Sequence, residues 1–141
     1  MSIGLILTSC KQNQVEGIFI DQTLYGNQSL EENQELTQLI RQTLNKDEKA
    51  LAKLNDFWCG GGAGCYDLGF IVTQIIYRLG EKDFIEMVAK LGNSETNGLL
   101  SLIRAGLEYG DNDKDGKMDN KSIEMEFPEL LKLLETKKPN R

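Results

Sequence analysis

The chain contains no histidine. That absence removes the commonest general base, the Ser–His and Cys–His nucleophile pairs, covalent haem attachment of the usual kind, and zinc sites built on imidazole. Aromatic residues make up only 7% of the sequence, thin provision for a carbohydrate-stacking surface. Long apolar runs are missing too. The longest, Leu68 to Tyr77, is broken by Gly69, Thr73 and Gln74 and falls well short of the ~18 consecutive apolar residues of a membrane span. Basic charge is in deficit, with 16 Lys and Arg against 22 Asp and Glu for a net charge of −6. That balance argues against a nucleic-acid partner.

What remains reads as helix. Ser29 with Glu32 three residues later forms a capping box, and Leu36, Leu39, Ile40 and Leu44 recur on one face. Asp47 is placed to cap a second helix in which Leu51, Leu54 and Trp58 fall at helical spacing. Cys65 to Leu79 is apolar on more than one face, the pattern of a central buried helix, and Gly80 ends it. Phe84, Ile85, Val88 and Leu91 make the next stripe. Leu99, Leu100, Ile103 and Leu107 make another, with Ser94 or Thr96 as its start. Pro128 opens the last helix. The expected fold is all-α, a single domain of about six helices packed as antiparallel hairpins. Residues 1–10 read as the end of a signal peptide, 11–28 as a Gln-, Asn- and Gly-rich tether, and 29–141 as the helical domain.

The segment with chemistry in it is Asp111-Asn112-Asp113-Lys114-Asp115-Gly116-Lys117-Met118-Asp119. Alternating aspartates let a short loop wrap carboxylate oxygens around one hard cation, with Gly116 at the sharp turn. The stretch resembles the calcium loop of EF-hand and dockerin-like repeats. By that resemblance Asp111, Asp113 and Asp115 each give a side-chain oxygen, Lys117 its backbone carbonyl, and Asp119 binds directly or through water. Met118 falls where the family carries an apolar residue that pins the loop to the core. The twelfth position departs from the pattern, with Ser122 in place of a bidentate Glu; Glu124 and Glu126 lie close by but out of register. Phe127-Pro128 departs as well, and residues 120–127 read as extended chain rather than an exiting helix. The implied cofactor is Ca²⁺, held with the ~0.1–1 mM affinity of extracellular modules. A solvated acidic turn is the competing reading.

Near the N-terminus, Leu7-Thr8-Ser9-Cys10 resembles a bacterial lipobox, which implies lipidation at Cys10. The upstream apolar stretch is shorter than a secretory hydrophobic region and lacks a preceding Lys or Arg, so an ordinary first strand stays open as the other reading. Cys59 and Cys65 then form a pair around Gly60-Gly61-Gly62-Ala63-Gly64, flexible enough to close a tight disulfide. A disulfide, a weak calcium loop and a lipobox fit the cell envelope, either periplasm or outer-membrane surface; a reduced pair in the cytoplasm is the alternative.

Nothing in the chain forms a recognisable catalytic constellation. Asp56, Asp67 and Glu108 are the carboxylates open to a small hydrolase, and helix capping is their bland use. Phe57, Trp58 and Tyr66 flank the glycine turn as a partner-contact surface. The expectation is therefore a non-catalytic, lipid-anchored envelope protein with a structural calcium site that binds an unknown protein partner. An immunity or inhibitor role is its narrowest form. A carboxylate-dependent hydrolase and a structural accessory subunit are the alternatives.

Overall fold

In the computed structural model residues 13–138 are described; Cys10 and the lipobox-like segment lie outside the described residues. A two-stranded hairpin, β1 (Asn13–Val15) and β2 (Ile18–Ile20), precedes eight helices. These are α1 (Gln22–Gly26), α2 (Leu30–Leu44), α3 (Glu48–Asn55), α4 (Ala63–Leu79), α5 (Glu81–Ala89), α6 (Leu99–Tyr109), α7 (Ile123–Glu126) and α8 (Pro128–Thr136). The chain is thus mostly helical, with α4 at its centre. Leu68, Ile71, Val72, Ile75 and Ile76 are buried around more than one face of α4. The expected caps are in place: Ser29 and Glu32 form the capping box of α2, and Asp47 accepts from the N–H groups of Lys49 and Ala50.

The tether expectation fails over residues 13–28. Val15, Ile18, Ile20 and Leu24 are buried in the core, and the strands pair with Asn13 opposite Ile20. Glu16 and Gly17 both take positive φ, the geometry of a two-residue hairpin turn whose twist matches the strands. The hairpin is held to α4 by two side chains: Arg78 Nη1 donates to the Glu16 carbonyl at 2.9 Å, and the Gln74 amide pairs with Phe19. Gln74 Oε1 accepts from Phe19 N–H at 2.9 Å, and Gln74 Nε2 donates to the Phe19 carbonyl at 3.0 Å, as a neighbouring strand would.

Two helices exceed the expected six because α1 lies in the supposed tether and α7 in the supposed extended run 120–127. Ser122, just before α7, is extended (φ −119°, ψ 149°), whereas Phe127 (φ −138°, ψ 62°), which Pro128 disfavours from helical geometry, is neither helical nor extended. Trp58 does not continue the α3 stripe. The helix stops at Asn55, and Trp58 is 78% exposed. Neither Ser94 nor Thr96 starts α6; Gly98, left-handed at φ 81°, precedes it, and Thr96 Oγ1 bonds back towards the Gly92 and Asn93 carbonyls.

The helices pair as neighbours in sequence at α2 and α3, but α4 packs chiefly on α6 and α5 on α8. Tyr66 stacks on Tyr109 while Gly69 meets Gly106, so α4 and α6 run antiparallel. A Cβ on Gly106 would run into the Gly69 carbonyl and Thr73 Cγ2, and one on Gly69 into the Leu102 carbonyl. The two backbones touch directly. Cys59 and Cys65 lie at disulfide-bonding distance, Cα atoms 4.9 Å apart, and a Cβ on the intervening Gly64 would strike the Cys59 carbonyl.

Gly106→Ala gains roughly 1 kcal/mol of helix propensity but forces two backbones apart, an overpacking cost of about 1–3 kcal/mol or more. Backbone yields less than a side chain, so a net loss is expected in urea unfolding. Replacing both Cys59 and Cys65 by Ala should lower stability by about 2 kcal/mol, the loop-closure value for so short a ring. The same loss should appear when the wild type is unfolded under reducing conditions.

Candidate metal site

The acidic loop leaves α6 at Gly110, which sits against the Gly106 carbonyl and the Phe70 ring where a side chain would not fit. It then folds back. The N–H groups of Asp119, Asn120 and Lys121 donate to the carbonyls of Gly110, Glu108 and Leu107 at 2.9, 3.0 and 3.0 Å. These bonds satisfy carbonyls that the end of α6 would otherwise leave unpaired. They also explain why the chain after the loop is not immediately helical, as an EF-hand exit would be.

Within this frame Asp111, Asp113, Asp115 and Asp119 converge, one carboxylate oxygen of each lying within 4.8 Å of the others. Asp111 accepts from Asp115 N–H (3.0 Å) and Gly116 N–H (2.8 Å), and Asp115 accepts from Lys117 N–H (2.8 Å). Gly116 takes φ 85° and Lys114 φ 61°, the left-handed turns that curl the loop around its own carboxylates. Four acids this close are in conflict. Desolvation, a hydrogen bond with Asp111 and the charges of Asp115 and Asp119 hold the Asp113 carboxyl above its ordinary value. Desolvation pushes Asp111 up as well, but hydrogen bonds from Gly116, Asp113, Asp115 and Lys114 outweigh it and hold that carboxyl low. A divalent cation relieves this repulsion directly.

Asp119 is built differently from the other three. Its Oδ2 accepts from Asn112 N–H (2.8 Å) and Asn112 Nδ2 (3.0 Å). Its Oδ1 is shielded from solvent and has no hydrogen-bond partner among the described residues. A buried, unpaired carboxylate oxygen is costly unless a cation compensates it, so the donor set fits a hard oxygen-seeking ion.

Other expected participants are placed elsewhere. Glu124 is taken by Arg104, with Arg104 Nη2 at 2.7 Å, and Glu126 accepts from the Tyr77 hydroxyl at 2.9 Å. Neither stands in for the acid missing at Ser122. Met118 is 60% exposed and pins nothing; Ile123, fully buried at the start of α7, anchors the exit instead. The Phe57–Trp58–Tyr66 surface is divided. Phe57 packs against the core, Trp58 lines a cleft of about 320 Å³ with the glycine turn and α1, and Tyr66 stacks on Tyr109 beside the acidic loop, ring centroids 4.5 Å apart. Asp67 Oδ2 accepts from Leu24 N–H at 2.8 Å and so caps α1 from a neighbouring helix. Asp56 ends α3.

Reading by sequence position missed Asn112 and Thr73, which brace Asp119 from the second loop position and from α4. It also missed Asp21, whose carboxyl is raised by burial and then by Asp111. Thr73, a polar residue next to Gln74 in the mostly apolar stretch of α4, was an available signal. No protein-family profile matches the chain, and no curated protein or solved structure matches it significantly.

The contrast between Asp119 and Glu124 is measurable. Asp119→Asn should weaken calcium binding by tenfold or more, about 1.4 kcal/mol, while Glu124→Gln should leave it within twofold. Isothermal titration of the two variants separates them.

Proposed function

We propose that this chain is a non-catalytic, calcium-stabilised binding protein of the cell envelope, lipid-anchored at Cys10, that acts by contacting a protein partner. The observation that carries the reading is the convergence of Asp111, Asp113, Asp115 and Asp119, with the buried Oδ1 of Asp119 left unpaired. Lys117 supplies its backbone carbonyl as a fifth ligand. Calcium suits the set better than magnesium, because the loop offers several protein oxygens rather than the few carboxylates and retained waters of a magnesium octahedron. Its role is structural: the ion neutralises a loop that is hydrogen-bonded to the end of α6, and so fixes how the chain passes from α6 to α7. The Cys59–Cys65 pairing supports an oxidising compartment, where millimolar calcium is also found. Exposed Trp58, and Tyr66 stacked on Tyr109, are the aromatic anchors offered to a partner. An immunity or inhibitor role is the narrower form, supported by small size, acidity and helical build alone.

One observation favours the hydrolase alternative. Asp67 is raised by burial and by the charge of Asp21, against the lowering bond from Leu24, and Asp21 is raised too. Perturbed carboxyls beside a cleft are the kind of group an acid–base mechanism draws on. The bond from Leu24 gives Asp67 a structural use, and the cleft of about 450 Å³ that Asp21 lines with Phe19 and Tyr109 does not have Asp67 in its wall.

Thermal unfolding of the full chain in EDTA and in millimolar calcium tests the main reading, beside an Asp113→Ala, Asp115→Ala variant. Calcium at ten times its dissociation constant adds roughly 1.4 kcal/mol by mass action, a rise of several degrees that the variant should lack. Equal melting of the wild type in both media would reduce the loop to a solvated turn.

A further inference from the structure

We propose that Asn112, braced by Thr73, is the positioning residue that makes Asp119 the fourth direct carboxylate ligand of the loop, in place of the acid missing at Ser122. The inference rests on the calcium reading of the loop and specifies how that site is completed.

Asn112 uses its amide fully. Nδ2 donates to the Gly106 carbonyl at 3.0 Å and to Asp119 Oδ2 at 3.0 Å, and Oδ1 accepts from Thr73 Oγ1 at 2.9 Å. The opposite amide orientation would set Oδ1 against two acceptors, so the surroundings determine which way the group points. Thr73 has one hydroxyl proton and two acceptors in reach, Asn112 Oδ1 and the Phe70 carbonyl at 3.0 Å. The Phe70 carbonyl already receives Gln74 Nε2 at 3.2 Å. Asn112 Oδ1 has no other donor among the described residues, so the Thr73 proton is assigned to it.

The consequence falls on Asp119. Two donors from one residue hold Oδ2 and so restrain rotation of the carboxylate, and Oδ1 is the oxygen left for the ion. Oδ1 has no solvent exposure, which favours direct contact over a bridging water. Thr73 is itself fully buried on α4. The geometry of a surface loop is therefore set by a core hydroxyl 39 residues away in sequence. Partners of this kind, which orient a ligand without touching the ion, change metal affinity by roughly 10–100-fold when removed.

The test is calcium titration of the full chain, with melting in EDTA measured for each variant. Thr73→Val keeps the shape and removes the hydroxyl; Thr73→Ser restores it; Asn112→Ala removes the amide from a half-exposed position and serves if the α4 variant folds poorly. Thr73→Val and Asn112→Ala are expected to bind calcium roughly tenfold more weakly, and Thr73→Ser to stay within threefold of wild type. Wild-type affinity in both Thr73→Val and Asn112→Ala would overturn the inference while leaving the calcium site intact. Equal weakening by Thr73→Ser and Thr73→Val would overturn the hydroxyl's part in it. A wild type that takes no calcium at millimolar concentration removes the parent reading and this inference together.

Discussion

The backbone contact between Gly69 and Gly106 is the constraint on which the rest of the molecule depends. With no Cβ at either position the carbonyl of one helix rests on the backbone of the other, closer than helices separated by side chains can approach. The stacking of Tyr66 on Tyr109 and the reach of Thr73 to Asn112 both follow from that proximity. Gly110 extends the same row of small residues, letting the chain turn tightly off α6 beside Phe70. A bulkier residue anywhere in the row would move the acidic loop away from the helix that braces it.

The loop itself is a compromise between two kinds of satisfaction. Backbone N–H groups meet part of the demand of Asp111 and Asp115, as they do in any tight acidic turn. That stabilises the curl but leaves like charges packed together, and one carboxyl is pushed up while its neighbour is pulled down. The exit then follows α6 carbonyls rather than a new helix. The departures from the EF-hand pattern therefore belong together. Once the chain is committed to capping α6, the twelfth position falls at the N-cap of the short α7 rather than inside an exiting helix that would present a glutamate.

Much of the helical plan was legible. Ser29 with Glu32, Asp47, Gly80 and the stripe through Leu99, Ile103 and Leu107 are local signals, and local signals survive folding. The aspartate spacing was legible for the same reason. The hairpin was not: its Gln- and Asn-rich composition reads as solvated chain, and only Val15, Ile18 and Ile20 carry the alternation, split across a two-residue turn. Contacts distant in sequence were equally hidden. Nothing local indicates that Arg104 claims Glu124, or that Gln74 completes the hairpin by pairing with Phe19. Trp58 shows periodicity overruled, because the helix that would have carried it inward ends three residues earlier.

The docked hairpin also sets a leash. Were residues 11–28 a free tether, a lipid on Cys10 would let the domain roam tens of ångströms from the bilayer. With β1 beginning at Asn13, only Lys11 and Gln12 separate the proposed anchor from folded structure, a reach of about 10 Å even when fully extended. On that proposal the domain would ride against the headgroups with its hairpin end down. Candidates for its partner would then narrow to proteins that come within a few ångströms of the same leaflet.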